Sequence, residues 1–137
     1  MEIVRYQRAH LEPILALAEG VAFSTLVEDP ERAHRVLSGP GSVTLVALEG
    51  GEPIGFAHTI TDGAIQAYLC RLIVAPAQRR RGIGRALVDE SLARSGAIRM
   101  DLLSSEEAQP LYSGYRHDRW PGYRIYPAEP TKPAGGG

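Results

Sequence analysis

The chain has 137 residues, a length that suits one domain with a real core, and its 44% hydrophobic content is ordinary for a globular protein. Against 16 acidic side chains it sets 15 basic ones, for a formal charge of −1, so no global field favours nucleic acid or an anionic membrane. Residues 2–8 mix Glu2, Arg5 and Arg8 with too few apolar residues for a signal peptide, and no apolar run approaches membrane-spanning length. The single cysteine, Cys70, has no internal disulfide partner and reads as a small core filler in an apolar strand. A reduced, cytoplasmic setting is expected.

In chain order, residues 2–6 read as a short first strand. Glu12-Pro13 followed by Ile14, Leu15, Leu17 and Ala18 reads as a helix with proline in its first turn, stopped by Gly20. Asp29-Pro30 starts another, because aspartate caps free N–H groups and proline fits the first helical position; it ends near Ser38-Gly39-Pro40. Residues 43–48 and 54–61 form a hairpin around Gly50-Gly51. Asp62-Gly63 then turns into a long strand over 64–74. After a glycine loop, Ile83, Leu87, Val88 and Leu92 share one half of a helical wheel, with Arg85 and Asp89 opposite and Ser95-Gly96 at the end. Residues 98–103 read as a strand, 106–113 as a short helix and 123–126 as a last strand. One domain over 1–126 is expected, followed by a flexible proline- and glycine-rich tail over 127–137.

The loop between the long strand and its helix, Arg79-Arg80-Arg81-Gly82-Ile83-Gly84-Arg85, carries the clearest chemistry. Glycines let backbone N–H groups crowd around phosphate oxygens, a helix N-terminus adds partial positive charge, and arginines supply the rest. The spacing is neither that of a P-loop nor of a dinucleotide fold. With Leu72-Ile73-Val74-Ala75-Pro76 before it, it resembles the acyl-CoA-binding signature of the GCN5-related N-acetyltransferase (GNAT) family. That signature is a Leu-x-Val-x-Pro strand end, then Gln/Arg-x-x-Gly-x-Gly/Ala. A second family motif, normally Asn, Ala and an aromatic-Tyr pair, is matched in order by Ser105, Ala108, Leu111 and Tyr112.

The resemblance implies an α/β single domain: a central, mostly antiparallel mixed sheet whose fourth and fifth strands are parallel and splayed, flanked by about four helices. It implies acetyl-CoA as co-substrate, with no metal, and acetyl transfer to a primary amine by direct attack in a ternary complex. The cofactor would lie against Leu72, Ile73 and Val74, the loop residues Arg79, Arg80, Arg81, Gly82, Ile83, Gly84 and Arg85, and Ser105 and Tyr112. Tyr112 would be the general acid for the departing thiolate, and the Val74 N–H the oxyanion donor. Ser105 stands where many relatives have asparagine.

The position of the general base in some relatives is here Tyr68, and no carboxylate occurs over residues 66–74. His58, Asp62, Glu28 and Asp101 remain as candidates, beside proton loss through water. The acceptor is expected to be a small-molecule or peptide amine, met by residues 20–29 and 115–123, on a monomer or homodimer. Two other readings stay open: a catalytically silent acyl-CoA-binding regulatory module, and a transferase of this fold that uses another donor such as aminoacyl-tRNA. Neutral net charge argues against the last, because polyphosphate partners call for a broad basic face.

Overall fold

The computed structural model describes residues 1–21 and 25–128. Its elements in chain order are β1 (Glu2–Arg5), α1 (Leu11–Glu19), α2 (Pro30–Ser38), β2 (Ser42–Glu49), β3 (Glu52–Thr61), β4 (Gln66–Val74), α3 (Ile83–Ser95), β5 (Arg99–Asp101) and α4 (Gln109–Ser113). The strands form one sheet in sequence order, antiparallel throughout except for the parallel pair β4–β5. This is the mixed α/β architecture expected.

Local chemistry explains several boundaries. Asp29 Oδ1 accepts from the Arg32 N–H at 3.1 Å and Pro30 occupies the first turn, so α2 starts where its cap stands. Gly50 and Gly51, at φ of 59° and 83°, close the tight β2–β3 hairpin. Gly96 ends α3 at φ 74°; a β-carbon there would sit 2.7 Å from the Gly63 carbonyl oxygen.

Alternation along the strands divides the core into two layers. Tyr6, Val46 and Phe56 face α1 and α2, which contribute Leu11, Ile14, Ala18, Ala33 and Leu37. Val43, Leu45, Ala47, Ile54, Ala57 and Leu69 face Ile83, Leu87 and Val88 of α3. Period-two patterning thus places successive β4 side chains on opposite faces: Ile73 packs toward α1 and α2, Leu72 and Val74 toward α3.

The β3–β4 register slips once. His58 pairs with Arg71 and Thr59 with Leu69, which leaves Cys70 as the extra residue of a bulge. The β4–β5 ladder runs only from Gln66/Arg99 to Tyr68/Asp101. A bulge bends and twists its strand, and here β4 leaves β5 directly before it. The result is a wedge between residues 69–74 and the chain after β5.

Three expectations need correction. The strand expected over 98–103 is confined to Arg99–Asp101, because the wedge removes its partner beyond Tyr68. The last helix spans only Gln109–Ser113, with a turn over 106–108 before it. The strand expected over 123–126 does not form: Trp120, Tyr123 and Ile125 are 83%, 84% and 89% exposed, with no ladder beside them. Its alternating side chains are a local β signal that finds no sheet edge. The expected tail falls, from residue 129 onward, outside the described residues.

Candidate active site

The wedge exposes main chain rather than side chain. Ala75 N–H donates to the Ile54 carbonyl at 2.8 Å, which fixes the alternation of the antiparallel ladder at this end of β4. Val74 and Leu72 therefore direct their N–H and C=O groups away from β3 and into the wedge. Ile73, between them, turns its own toward β3. Leu72 and Val74 thus combine side chains packed toward α3 with main-chain N–H groups free for a ligand.

The glycine loop lies at the end of this strand. Arg80 holds φ at 65° and Gly82 at 79°, two left-handed residues that reverse the chain into α3. Ala86 N–H is taken up by the Gly82 carbonyl at 3.0 Å, so those of Ile83, Gly84 and Arg85 precede the first intrahelical bond. A β-carbon on Gly82 would meet nothing within 4 Å, so the space above it is open. Free N–H groups, a helix N-terminus and open space form an anion cradle.

The arginines divide their work. Arg81 forms an exposed pair with Glu49 at 2.8 Å, also contacts Gln78, and holds the Glu49 carboxyl below its usual range through that hydrogen bond. Arg79 Nε donates to the Val74 carbonyl at 3.4 Å. Arg85 lies with its guanidinium carbon 4.1 Å from the centre of the Tyr115 ring, so its side chain is spent on α3–α4 packing and its N–H remains for the loop. Like Arg85, Arg80 makes no side-chain hydrogen bond or ion pair among the described residues, and it lacks Arg85's ring contact.

Across the wedge stands α4. Tyr112 packs with the α3-side core, and burial pushes its phenol above its ordinary value. It therefore stays protonated at neutral pH, the state a proton donor needs. Ser105 Oγ accepts from the Ala108 N–H at 3.3 Å, so it also caps the turn that leads into α4. Tyr115 donates to Asp89 at 2.8 Å, and burial with that carboxylate pushes its phenol to about 12.

The family model described as acetyltransferase (GNAT) domain matches residues 40–115, from just before β2 to just past α4. The chain belongs to the GNAT acetyltransferase family. Mycothiol acetyltransferase of Mycobacteroides abscessus is 39% identical over 71 residues, covering 49% of this chain and 24% of that protein. The chain thus spans about a quarter of the length of that relative. A GNAT family acetyltransferase from Streptococcus pneumoniae TIGR4 is 26% identical, with a TM-score of 0.71 over 91% of this chain and 97% of that one. An aminoglycoside N-acetyltransferase in complex with the bisubstrate analogue CoA-S-monomethyl-acetylneamine has a TM-score of 0.73 at 20% identity over 91% and 97%, and shares the fold.

With the GNAT frame in place, the proton-acceptor candidates separate by position. His58 is 2% exposed, and burial together with Arg71 pulls its pKa down to about 4. Arg71 Nη1 donates to its Nδ1 at 2.8 Å, and its Nε2 lies 3.0 Å from Ser42 Oγ. A guanidinium has no acceptor, so the proton sits on Nε2 and no lone pair remains for a substrate. Asp62 Oδ1 accepts from the Ala64, Ile65 and Gln66 N–H groups and serves its turn. Glu28 pairs with Arg32 at 3.3 Å on the surface. Asp101 is exposed and stands opposite Tyr68, where the wedge opens.

Residues 22–24 of the expected acceptor loop lie outside the described residues. Sequence reasoning missed the Arg71–His58 bond and the Arg85–Tyr115–Asp89 cluster. Both join residues far apart in sequence; only the basic and aromatic residue types hinted at them.

Proposed function

We propose that this chain is a coenzyme A-dependent N-acyltransferase that moves an acetyl group from acetyl-CoA to a primary amine in a ternary complex. One observation carries the reading. The unpaired Leu72 and Val74 N–H groups in the wedge lead, through a single loop, to the free N–H groups of Ile83, Gly84 and Arg85. The pantetheine amides would find main-chain partners at the first, and the pyrophosphate would settle at the second with Arg80 beside it. Residues 1–126 are the working unit of this reading, with 127–137 beyond it.

In the reaction the neutral amine nitrogen attacks the thioester carbon. The carbonyl oxygen gathers negative charge that the Val74 N–H, with Leu72 next in line, would stabilise. As the C–N bond forms the C–S bond breaks, and the thiolate takes the Tyr112 proton, which solvent restores. Asp101 is the carboxylate at the wedge that can collect the ammonium proton, directly or through water. Tyr68 lines the same opening. The acceptor is a small-molecule or peptide amine, the setting cytoplasmic, and the assembly a monomer or homodimer. No helix among the described residues is long and apolar enough to cross a membrane.

The test is acetyl-CoA turnover across a panel of amines, followed by free-thiol release. Release that depends on an amine is expected. CoA binding without turnover of any amine would make the chain a silent acyl-CoA module, and a thermal shift with tRNA but not CoA would point to another donor.

A further inference from the structure

The bonds around Arg71 leave a charge unanswered. Its guanidinium is half-buried on the β4 face that carries Ile73, opposite α3, and burial lowers its pKa from the usual arginine value. The adjacent Cys70, a thiol whose own pKa burial raises, acts the other way when ionised, and Arg124, on the segment after α4, acts in the same direction as burial. The four ion pairs among the described residues involve Arg8, Arg32, Arg81 and Arg94, not Arg71. Its hydrogen-bond partner there is a neutral imidazole, His58 Nδ1 at 2.8 Å. That imidazole is anchored in turn: Nε2 faces Ser42 Oγ, which donates to the Val36 carbonyl at 2.9 Å.

A buried cation ordinarily has a carboxylate against it, because desolvation without a counter-charge is unfavourable. Here a chain of bonds from α2 through Ser42 and His58 fixes the guanidinium and supplies no negative charge. One neighbouring charge, from Arg124, is again positive. Such an arrangement favours an anion over a neutral group, because a guanidinium presents its remaining donors as a fork that fits a carboxylate or phosphate. Arg71 stands one residue before Leu72 and three before Val74, roughly 3 to 10 Å along the strand. An anion held there would belong to the molecule whose amine reaches the wedge.

We propose that Arg71 is a specificity residue that selects amine acceptors carrying a carboxylate or phosphate, with His58 as the residue that positions it. The inference rests on the transferase reading above and names its acceptor class. An acceptor of this class is an amino acid, a peptide with a nearby acidic terminus or an amino phosphate, with amine and anion a few bonds apart.

The test pairs ω-amino acids of increasing chain length with their carboxamides, and 2-aminoethyl phosphate with ethanolamine, using the full chain and acetyl-CoA. At least one anionic member should be preferred about tenfold or more in kcat/KM. Whether the carboxylate or phosphate series leads identifies the source. Arg71→Gln should raise KM for the anionic member by about that factor with kcat little changed, and leave the neutral partner unaffected. Arg71→Lys should restore part of the effect. Calorimetry with the N-acetylated products on the CoA complex reads the same preference without turnover, and so separates failure of this inference from failure of the transferase reading. Equal handling of anionic and neutral members by the wild type would overturn the proposal. So would an equal loss for both in Arg71→Gln at unchanged melting temperature.

Discussion

At His58, burial and a neighbouring guanidinium act in the same direction, and the consequence is a stability that depends on pH. The folded-state value lies at about 4, below the ordinary 6.5. As pH falls through that window the unfolded chain takes up a proton that the native imidazole refuses, so native stability is lost on acidification. The full shift corresponds to about 3 kcal/mol at most. Urea unfolding at pH 7 and near pH 4.5 should show this slope in the wild type and a shallower one in His58→Gln, whose amide can still join Arg71 to Ser42. At Tyr112 the direction is opposite: burial raises the phenol and keeps it protonated, as the proposed acid role requires. Tyr112→Phe should retain CoA binding and lose about 10²-fold in chemistry-limited rate; wild-type turnover would assign Tyr112 to packing. At Gly84 a β-carbon would lie 3.6 Å from both Leu72 and Leu111, ordinary contact that the protein can absorb. Gly84→Ala should therefore match or exceed wild-type stability, through helix propensity of up to about 1 kcal/mol. If CoA threads between β4 and α4, calorimetry should nevertheless find its affinity reduced.

At the scale of elements, α3 joins the loop to the sheet, and one of its buried positions runs against its own pattern. Ser91 is fully buried with no hydrogen-bond partner for its hydroxyl, and so is the Thr59 hydroxyl on the adjacent β3. An unsatisfied buried hydroxyl costs about 1–3 kcal/mol, and alanine is the better helix former. Ser91→Ala should then raise the denaturation midpoint by an amount worth about 1 kcal/mol. A loss of similar size would mean instead that the Ser91 hydroxyl finds a partner in solution, such as a buried water. This layer also shows what was legible beforehand. The caps at Asp29, the Gly50-Gly51 hairpin and the glycine loop are local signals, and each element formed where its signal stood. The wheel of α3 identified Ile83, Leu87 and Val88 but placed Leu92 with them, whereas Ser91 occupies that buried stripe and Leu92 is only half-buried. The bulge at Cys70 was not legible, because it depends on register against β3 rather than on any residue of β4. Nor were Arg81–Glu49 and Tyr115–Asp89, whose members are 32 and 26 residues apart. The glycine loop was readable because its residues are contiguous. The Arg71–His58 bond was not, because it joins separate strands.

For the molecule as a whole, the segment after α4 is the part whose sequence and structure disagree most. Residues 116–128 carry Trp120, Tyr123 and Ile125 largely in solvent and form no strand. It runs against the chain after β5, where a β-carbon on Gly122 would collide with the Leu103 side chain, and Arg124 lies close enough to Arg71 to affect it. A segment that buries so little apolar surface contributes little to folding, since hydrophobic stabilisation scales with area removed from water. Deleting residues 119–137 should therefore leave the circular dichroism spectrum unchanged and the melting temperature within a few degrees of the wild type. CoA binding should also survive, because β4, the glycine loop and α4 all precede the cut. Acceptor kinetics should change: removing Arg124 takes away a second positive charge beside Arg71, so KM for an anionic amine should rise more than KM for its neutral partner. Arg124→Gln in the full chain should reproduce that selective change and thereby separate the charge from the bulk of the segment. A large drop in melting temperature on deletion would instead show that the segment belongs to the folded core, with its aromatic side chains covered in solution.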